Sequence, residues 1–537
     1  MEDFEEHGFQ EDETLAVGDV VYDSAALNAQ AASASDGIPD AVRDFILYFR
    51  QCLVQGNVHE LHACYETAWA KLTERFYRTS PWPAPAAVEP LVDGDEIFMI
   101  LYTEAYYRHM YARLQPTVQD RIASYHNYCD LFNYILNPRE DVINLELPTL
   151  WTWDIIDEFI YQFGTFSTYR TRALRRGASQ AELAELRANS EVWGAYSVLN
   201  VLYSLAGKAN MPAQLKAIRR GEDPLAVAGE FGTKTLYKNL GYFAIIGLLR
   251  VHTLLGDPAL ALSTMADIQL NKKALFARVT AAHFTTYYYV GFAYLMLRRY
   301  SDAVKAFGHA LLFINRTKNI NRSAAFDEVT KKSEQMYALL AVCVTLSPSR
   351  LDEPVHVGLR ERYGEQLSKM ARGGEEAFKT IEELFIFGAP RFISPTAPDF
   401  DAPPPASADP LVHHLRVFML DVRSTLRGHA LKSYLTLYST MDTGKLAALM
   451  ETTVEDLHSS LVTFKLKSRQ IKWTEGELLD GQATRVSDID IALENNLINI
   501  AETKGGRKFA DWFIRNTVKS YIAEDYIANP KREKHRN

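Results

Sequence analysis

Residues 285–311 read TTYYYVGFAYLMLRRYSDAVKAFGHAL, and their pattern decides the fold. Two helix-length apolar segments flank a polar break at Arg298 to Ser301. Small Gly291 and Ala303 allow close approach, and Tyr287, Tyr294, Tyr300 and Phe307 fill the space around them. Gly291, Tyr294, Ala303, Phe307 and Ala310 match one tetratricopeptide unit, although Asn315 stands where the closing proline is expected. The tyrosine stripe at helical spacing is read as core packing rather than a ligand cage. A looser copy, FAIIGLLRVHTLLGDPALALSTM, lies upstream. Aligning Ala261 with Ala303 gives an offset of 42 residues, so the array is divergent, with a lengthened connection through NKKALFARV.

Helix-length segments also fill the chain toward the N-terminus, beginning with PDAVRDFILYFRQCL after Pro39. The stretch SPWPAPAAVEP, with Pro81, Pro83, Pro85 and Pro90, is expected to be a loop. In WDIIDEFIYQF, Ile156, Phe159, Ile160 and Phe163 form a helical stripe. Asp154, Asp157 and Glu158 of the same segment are expected to be solvated acids of a first helical turn rather than a metal or acid-base set. Before Pro39, residues 1–36 hold ten acidic residues and no Lys or Arg, the composition of a disordered tail.

Toward the C-terminus the chain changes character. TAPDFDAPPPASADP is an extended connector, and HHLRVFMLDVRSTLRGHALKSYLTLYSTM resumes helix. TGKLAALM and VEDLHSSLVTFKLKSR then form two short helices. The second has a capping pattern in Thr452 and Glu455, and Val454, Leu457, Leu461 and Phe464 are expected on its buried face. IKWT and SDIDIALENNLINIAE follow, with Ile489, Ile491 and Leu493 alternating and a turn at Glu494-Asn495-Asn496. A helix-turn-helix followed by a small antiparallel sheet is a winged helix. The last segment, from Lys504, holds nine Lys or Arg against four acids. Phe513, Ile514, Val518 and Tyr521 make it an amphipathic helix expected to pack on partner helices, with a basic end.

Composition narrows the function. A chain of 537 residues with 47% apolar and 23% charged residues is globular and holds about three to four cores. The formal charge of −9 makes any nucleic-acid contact local. Cys52, Cys64, Cys129 and Cys343 include no CxxC pair, and they are expected to be buried thiols rather than disulfides or zinc ligands. No secretory leader and no membrane-length apolar run is present, so a cytoplasmic location is expected. There is no HExxH, GxSxG, GxGxxG after a strand or P-loop, so no catalytic residue, cofactor or metal site is assigned.

Lys465, Lys467, Arg469 and Lys472 cluster at the end of the second short helix. They are candidates for RNA-backbone contact, although cations near a helix C-terminus need no ligand. Glu455 and Asp456 at the start of that helix argue against DNA reading.

A helical repeat running into a winged helix resembles the PCI domain, a scaffold module of large assemblies. ELPTLWTWDIIDEFIYQF, LYKNLGYFAIIGLLRVHTLLGD, TTYYYVGFAYLMLRRYSDA, SEQMYALLAV, IKWTEGELLDGQ and DWFIR resemble, in order, the subunit L family of eukaryotic translation initiation factor 3. That resemblance covers about residues 39–520. It implies a mainly α fold: a right-handed, tetratricopeptide-like solenoid followed by a winged helix, with a C-terminal helix. The expected division is a tail 1–36, an N-terminal helical region 37–301, a PCI domain 302–507 and a C-terminal segment 508–537. Within the PCI domain, the linker is expected at 394–410 and the winged helix at about 432–503.

The resemblance further implies a non-catalytic subunit whose complex binds the small ribosomal subunit and promotes recruitment of initiator tRNA and mRNA. Its partners would be other PCI-domain and MPN-domain subunits and the small ribosomal subunit, with no membrane and no DNA. Ile489, Ile491, Leu493, Phe513 and Tyr521 are the candidate interaction residues. The winged sheet between Ile489 and Ile500 is expected to pair edge to edge with another PCI subunit.

Overall fold

The computed structural model describes residues 38–138, 143, 145–270, 274–317, 325–400, 409–502 and 505–528. The acidic tail 1–36, most of the proline-rich stretch at 401–408 and the basic end at 529–537 lie outside the described residues. The described residues divide into two compact units, those up to 217 with 223–244 and residues 218–222 with those from 245 onward.

The first unit begins with α1 (Asp40–Gln55), α2 (Val58–Ala63), a π-turn (Cys64–Ala68) and α3 (Trp69–Phe76). The SPWPAPAAVEP stretch is not wholly loop, because it contains a single helical turn, α4 (Pro85–Val88), and a 3-10 turn (Glu89–Val92). Pro85 sits at the start of α4, where the missing N–H costs nothing. Trp82 of this stretch is buried, stacks on Trp69 at 3.8 Å and donates its indole N–H to Thr73 at 3.0 Å.

Next come α5 (Glu96–Arg113), α6 (Val118–Leu136), α7 (Thr149–Arg176), α8 (Gln180–Ala188), α9 (Ala195–Lys208), α10 (Met211–Arg220) and α11 (Leu225–Gly232). Ile156, Phe159, Ile160 and Phe163 are all buried, as the stripe requires. The acids beside them behave differently from expectation. Because α7 already starts at Thr149, Asp154, Asp157 and Glu158 lie beyond its first turn and are half-buried rather than solvated. Asp154 accepts from Tyr65 at 2.7 Å and lies 3.5 Å from Arg108, and Glu158 accepts from Gln162 at 2.8 Å. Arg108 also meets Glu104, which is buried and accepts from Tyr128 at 3.0 Å.

Helix α12 (Thr235–Leu254) runs from the first unit into the second. There it is followed by α13 (Pro258–Thr264), α14 (Thr280–Met296), α15 (Tyr300–Thr317), α16 (Ala325–Leu346), α17 (Glu353–Arg372) and α18 (Gly374–Gly388). Helix α14 is buried on every side from Ala282 to Leu295, which marks it as the centre of this unit. It pairs with α15 where Gly291 faces Phe307; a Cβ at 291 would lie 2.6 Å from that ring. Position 301 therefore lies inside a packed hairpin. In the looser upstream copy Ala261 is likewise buried, but its helix α13 has only 7 residues against 18 in α15.

Helix α19 (Pro410–Leu435) leads into the winged helix: β1 (Thr440–Asp442), α20 (Thr443–Leu449), α21 (Val454–Lys467), β2 (Arg469–Lys472), β3 (Gln482–Arg485), β4 (Ile489–Glu494) and β5 (Leu497–Glu502). One sheet has the order β1-β5-β4 and the other pairs β2 with β3, all antiparallel. The helix-turn-helix and the β4–β5 hairpin are as the sequence indicates. Asn495 takes the left-handed φ of 55° that a tight hairpin asks for and that asparagine tolerates. Two local details differ. The cap of α21 is Thr453, whose hydroxyl accepts from the Asp456 N–H at 3.2 Å, one residue later than the expected pair. Val454 is consequently turned out to solvent, while Leu457, Leu461 and Phe464 are buried. The mainly helical architecture ending in a winged helix is the expected one; the last element is α22 (Gly505–Ala528).

Candidate protein docking surfaces

The winged helix is built around Leu431, Leu446, Leu457, Leu461, Ile491 and Ile498. Alternation along β4 sends Ile489 and Ile491 into this core, at 4% and 3% exposure, and both are structural residues of the module. Leu493, nearer the hairpin tip, is exposed, as is Leu497 across the turn. Strand β4 is at the edge of its sheet, so one row of its backbone groups is unpaired by β5. At Ile491 that row is already covered, because the Lys465 ammonium donates to its carbonyl at 2.5 Å.

The four basic candidates separate into two pairs. Lys465 caps the β4 edge and lies 3.7 Å from Asp490. Lys467 is turned inward, meeting Asp421 at 2.9 Å and donating to Thr425 at 2.8 Å and to Ser424. Arg469 and Lys472, on β2, make no ion pair among the described residues. Burial works against ionising Asp490, yet the Arg485 and Lys465 cations hold its carboxyl below the usual range.

Asp421, on α19, is the residue that pattern reading missed. Its buried carboxylate meets Lys467, Arg298 at 3.2 Å and the Tyr300 hydroxyl, so it ties α19, α21 and the α14–α15 turn together. Beside it, buried Arg299 donates to the carbonyls of Leu478, Leu479 and Asp480 at 3.2, 2.9 and 3.0 Å. Asp302 accepts from Arg299 at 3.0 Å and from the Trp473 N–H at 2.9 Å. The segment IKWTEGELLDGQ is thus clamped onto the hairpin of the helical array. The close-packed Arg298-Arg299 and Asp302 in a helix turn were the available signal, but their partners lie far along the chain.

Helix α22 presents Trp512, Phe513, Ile514, Val518, Tyr521 and Ile522 to solvent, each at least half exposed. Ile514, Val518 and Tyr521 share one helical face. These side chains leave an apolar surface of α22 open to solvent among the described residues. Among the described residues no three or more His, Cys, Asp or Glu gather to hold a metal ion, and no helix is long and apolar enough to cross a membrane. Cys52, Cys64 and Cys343 are buried thiols, whereas Cys129 is exposed, contrary to expectation.

A helical array running into a winged helix with a projecting apolar helix defines the class of PCI-domain scaffold subunits. Comparison with known proteins narrows it. The profile of the family described as RNA polymerase I-associated factor PAF67 matches residues 120–520. The chain is 55% identical over 526 residues to eukaryotic translation initiation factor 3 subunit L of Yarrowia lipolytica, covering 96% of each. It is 55% identical over 402 residues to the subunit L of Neurospora crassa, covering 75% of this chain and 84% of that one. With the subunit L of Aspergillus clavatus it shares 54% over 409 residues, 76% of this chain and 86% of the relative. The chain belongs to the family of eukaryotic translation initiation factor 3 subunit L.

Proposed function

We propose that this chain is a non-catalytic scaffold subunit of the eukaryotic translation initiation factor 3 complex in the cytoplasm. In this role it supports binding of initiator tRNA and mRNA to the small ribosomal subunit, beside other PCI-domain and MPN-domain subunits. The observation that carries the reading is the exposed apolar surface of α22, immediately after the winged helix. Exposed rings and aliphatics of this number are covered in a stable assembly. Truncation after Glu502 tests it by native mass measurement of the purified complex. The chain is expected to be lost from the complex, and a truncated chain retained at full occupancy would overturn the reading.

The free edge of β4 is a second docking element of the same proposal, used at Leu493 rather than at Ile491. Carbonyl and N–H of one residue point to the same side of a strand, so Leu493 shares the outward direction of Ile491. Leu493→Pro removes the outward donor while sparing the ladder to β5. Weaker co-purification with a neighbouring PCI subunit is expected.

A free RNA-binding factor is the alternative reading, favoured by Arg469 and Lys472, which have no carboxylate within ion-pair distance among the described residues. It predicts that Arg469→Ala with Lys472→Ala abolishes RNA binding by the isolated full chain and leaves complex assembly intact.

A further inference from the structure

Helix α19 has one acid, Asp421, and it is buried against Lys467, Arg298 and Tyr300. A different face of the helix carries Val412, Arg416, Leu420, Arg423, Arg427 and Ala430, all exposed. Their successive spacings of four, four, three, four and three residues place them within an arc of about 80°, in a row about 27 Å long. Such spacing is that of a seam against which a second helix lies. No carboxylate pairs with Arg416, Arg423 or Arg427 among the described residues. Arg423 is held over the Phe378 ring at 4.9 Å, which fixes its guanidinium in place.

Three cations without an acid attract either a phosphodiester chain or an acidic protein segment. The side chains between them decide the matter. Leu420 is 65% exposed at the middle of the row, and Val412 at its start is also open to solvent. A nucleic-acid backbone offers nothing to cover these aliphatics, whereas an amphipathic helix buries them at about 25 cal/mol per Å². We propose that this row docks an acidic amphipathic helix of another protein, with Asp or Glu opposite Arg416, Arg423 and Arg427 and an aliphatic side chain against Leu420. The inference rests on the scaffold reading in requiring a protein partner, but uses a surface separate from β4 and α22.

The test places the photo-crosslinking residue benzoylphenylalanine at Ala430 of the full chain, irradiates it in cells and sequences the adduct. The expected product is a single protein segment with Asp or Glu at three- and four-residue spacing. Its yield is expected to fall at least tenfold in the variant Arg416→Glu, Arg423→Glu, Arg427→Glu, and separately in Leu420→Glu, with cooperative thermal melting retained in both. Exchanging the captured acids for lysine is expected to restore the yield with the triple variant. An RNA adduct, a segment lacking that acid pattern, or undiminished yield in the charge-reversed chain overturns the proposal. Native mass measurement on the same cells reads complex membership independently: a chain inside the complex with none of the expected adduct defeats this inference alone, and a chain outside any complex defeats the scaffold reading alone when the adduct still forms.

Discussion

Arg299 and Leu478, 179 residues apart, are joined by a 3.2 Å hydrogen bond from guanidinium to carbonyl, and the Tyr294 hydroxyl donates to the same carbonyl at 2.9 Å. The bond matters because both ends are withdrawn from water. The same guanidinium also reaches the next two carbonyls and Asp302, so with Tyr294 and Asp302 it holds the course of the loop between β2 and β3. The winged helix is therefore oriented by the helical array and not merely tethered to it.

Arg299→Ala leaves the Leu479 and Asp480 carbonyls without their donor and the buried Asp302 carboxylate without its guanidinium, held by the Trp473 N–H alone. Its expected cost is about 3 kcal/mol, the lower part of the range for breaking a buried ion pair from one side. Arg299→Lys keeps the charge but not the planar fork, so it should recover only part of the loss. Hydrogen exchange of residues 473–481 reads the effect: protection should drop in both variants, more in the alanine one. Unchanged protection would mean that the loop is held by other contacts.

Gly291→Ala sets two known effects against each other. Alanine raises helix propensity by about 1 kcal/mol over glycine. Its Cβ, however, would stand 2.6 Å from the Phe307 ring, inside a helix buried on all sides. Overpacking of that kind costs about 1–3 kcal/mol, so net destabilisation is expected. Phe307→Leu in the same chain should recover part of it, giving a non-additive double-mutant cycle by chemical denaturation. Strict additivity would show that the two positions do not share the space.

Lys467 and Lys472 are near neighbours in sequence with opposite expected consequences. Lys467→Ala strips the buried Asp421 of one of its cations and should lower the stability of the winged helix by about 2 kcal/mol or more. Lys472→Ala touches no ion pair and should stay within about 0.5 kcal/mol. Thermal melting distinguishes them, and it must be run before any loss of RNA or partner binding by Lys467 variants is assigned to a lost contact.

These contrasts show which parts of the molecule were legible in its sequence. The α14–α15 hairpin was readable because Gly291, Ala303 and Phe307 act through helix spacing, a local periodicity. The β4–β5 hairpin was readable because Asn495 and Asn496 interrupt an alternating run. Asp421 was not, because its partners Arg298, Tyr300 and Lys467 come from elements brought together only by folding. The basic cluster looked uniform for the same reason: nothing local separates Lys467, with an internal partner, from Lys472, without one. Asp154 and Glu158 were misplaced because the helix begins at Thr149, four residues before the segment that carries the apolar stripe opens at Trp153.

That earlier helix start has a consequence for pH. Glu104, Asp154 and Glu158 surround one guanidinium, Arg108, which cannot neutralise three carboxylates. Burial, reinforced by the neighbouring Asp157 and Asp154 charges, pushes the Glu158 carboxyl from 4.5 up to about 7, against the opposing pull of Arg108 and Gln162. Between those two values the folded chain holds a proton that the unfolded chain has released. Stability contributed by this group is therefore fully present below about pH 4.5 and falls as pH rises through about 7. Glu158→Gln keeps the shape and removes the titration. Relative to the unaltered chain, its melting temperature should be higher at pH 8 than the comparison at pH 5 would give, with the gap opening between those values. Parallel pH profiles for the two chains would place the surplus proton on another carboxyl of the cluster, and Glu104→Gln, which is buried and partnered by Tyr128, would then be the variant that flattens the slope.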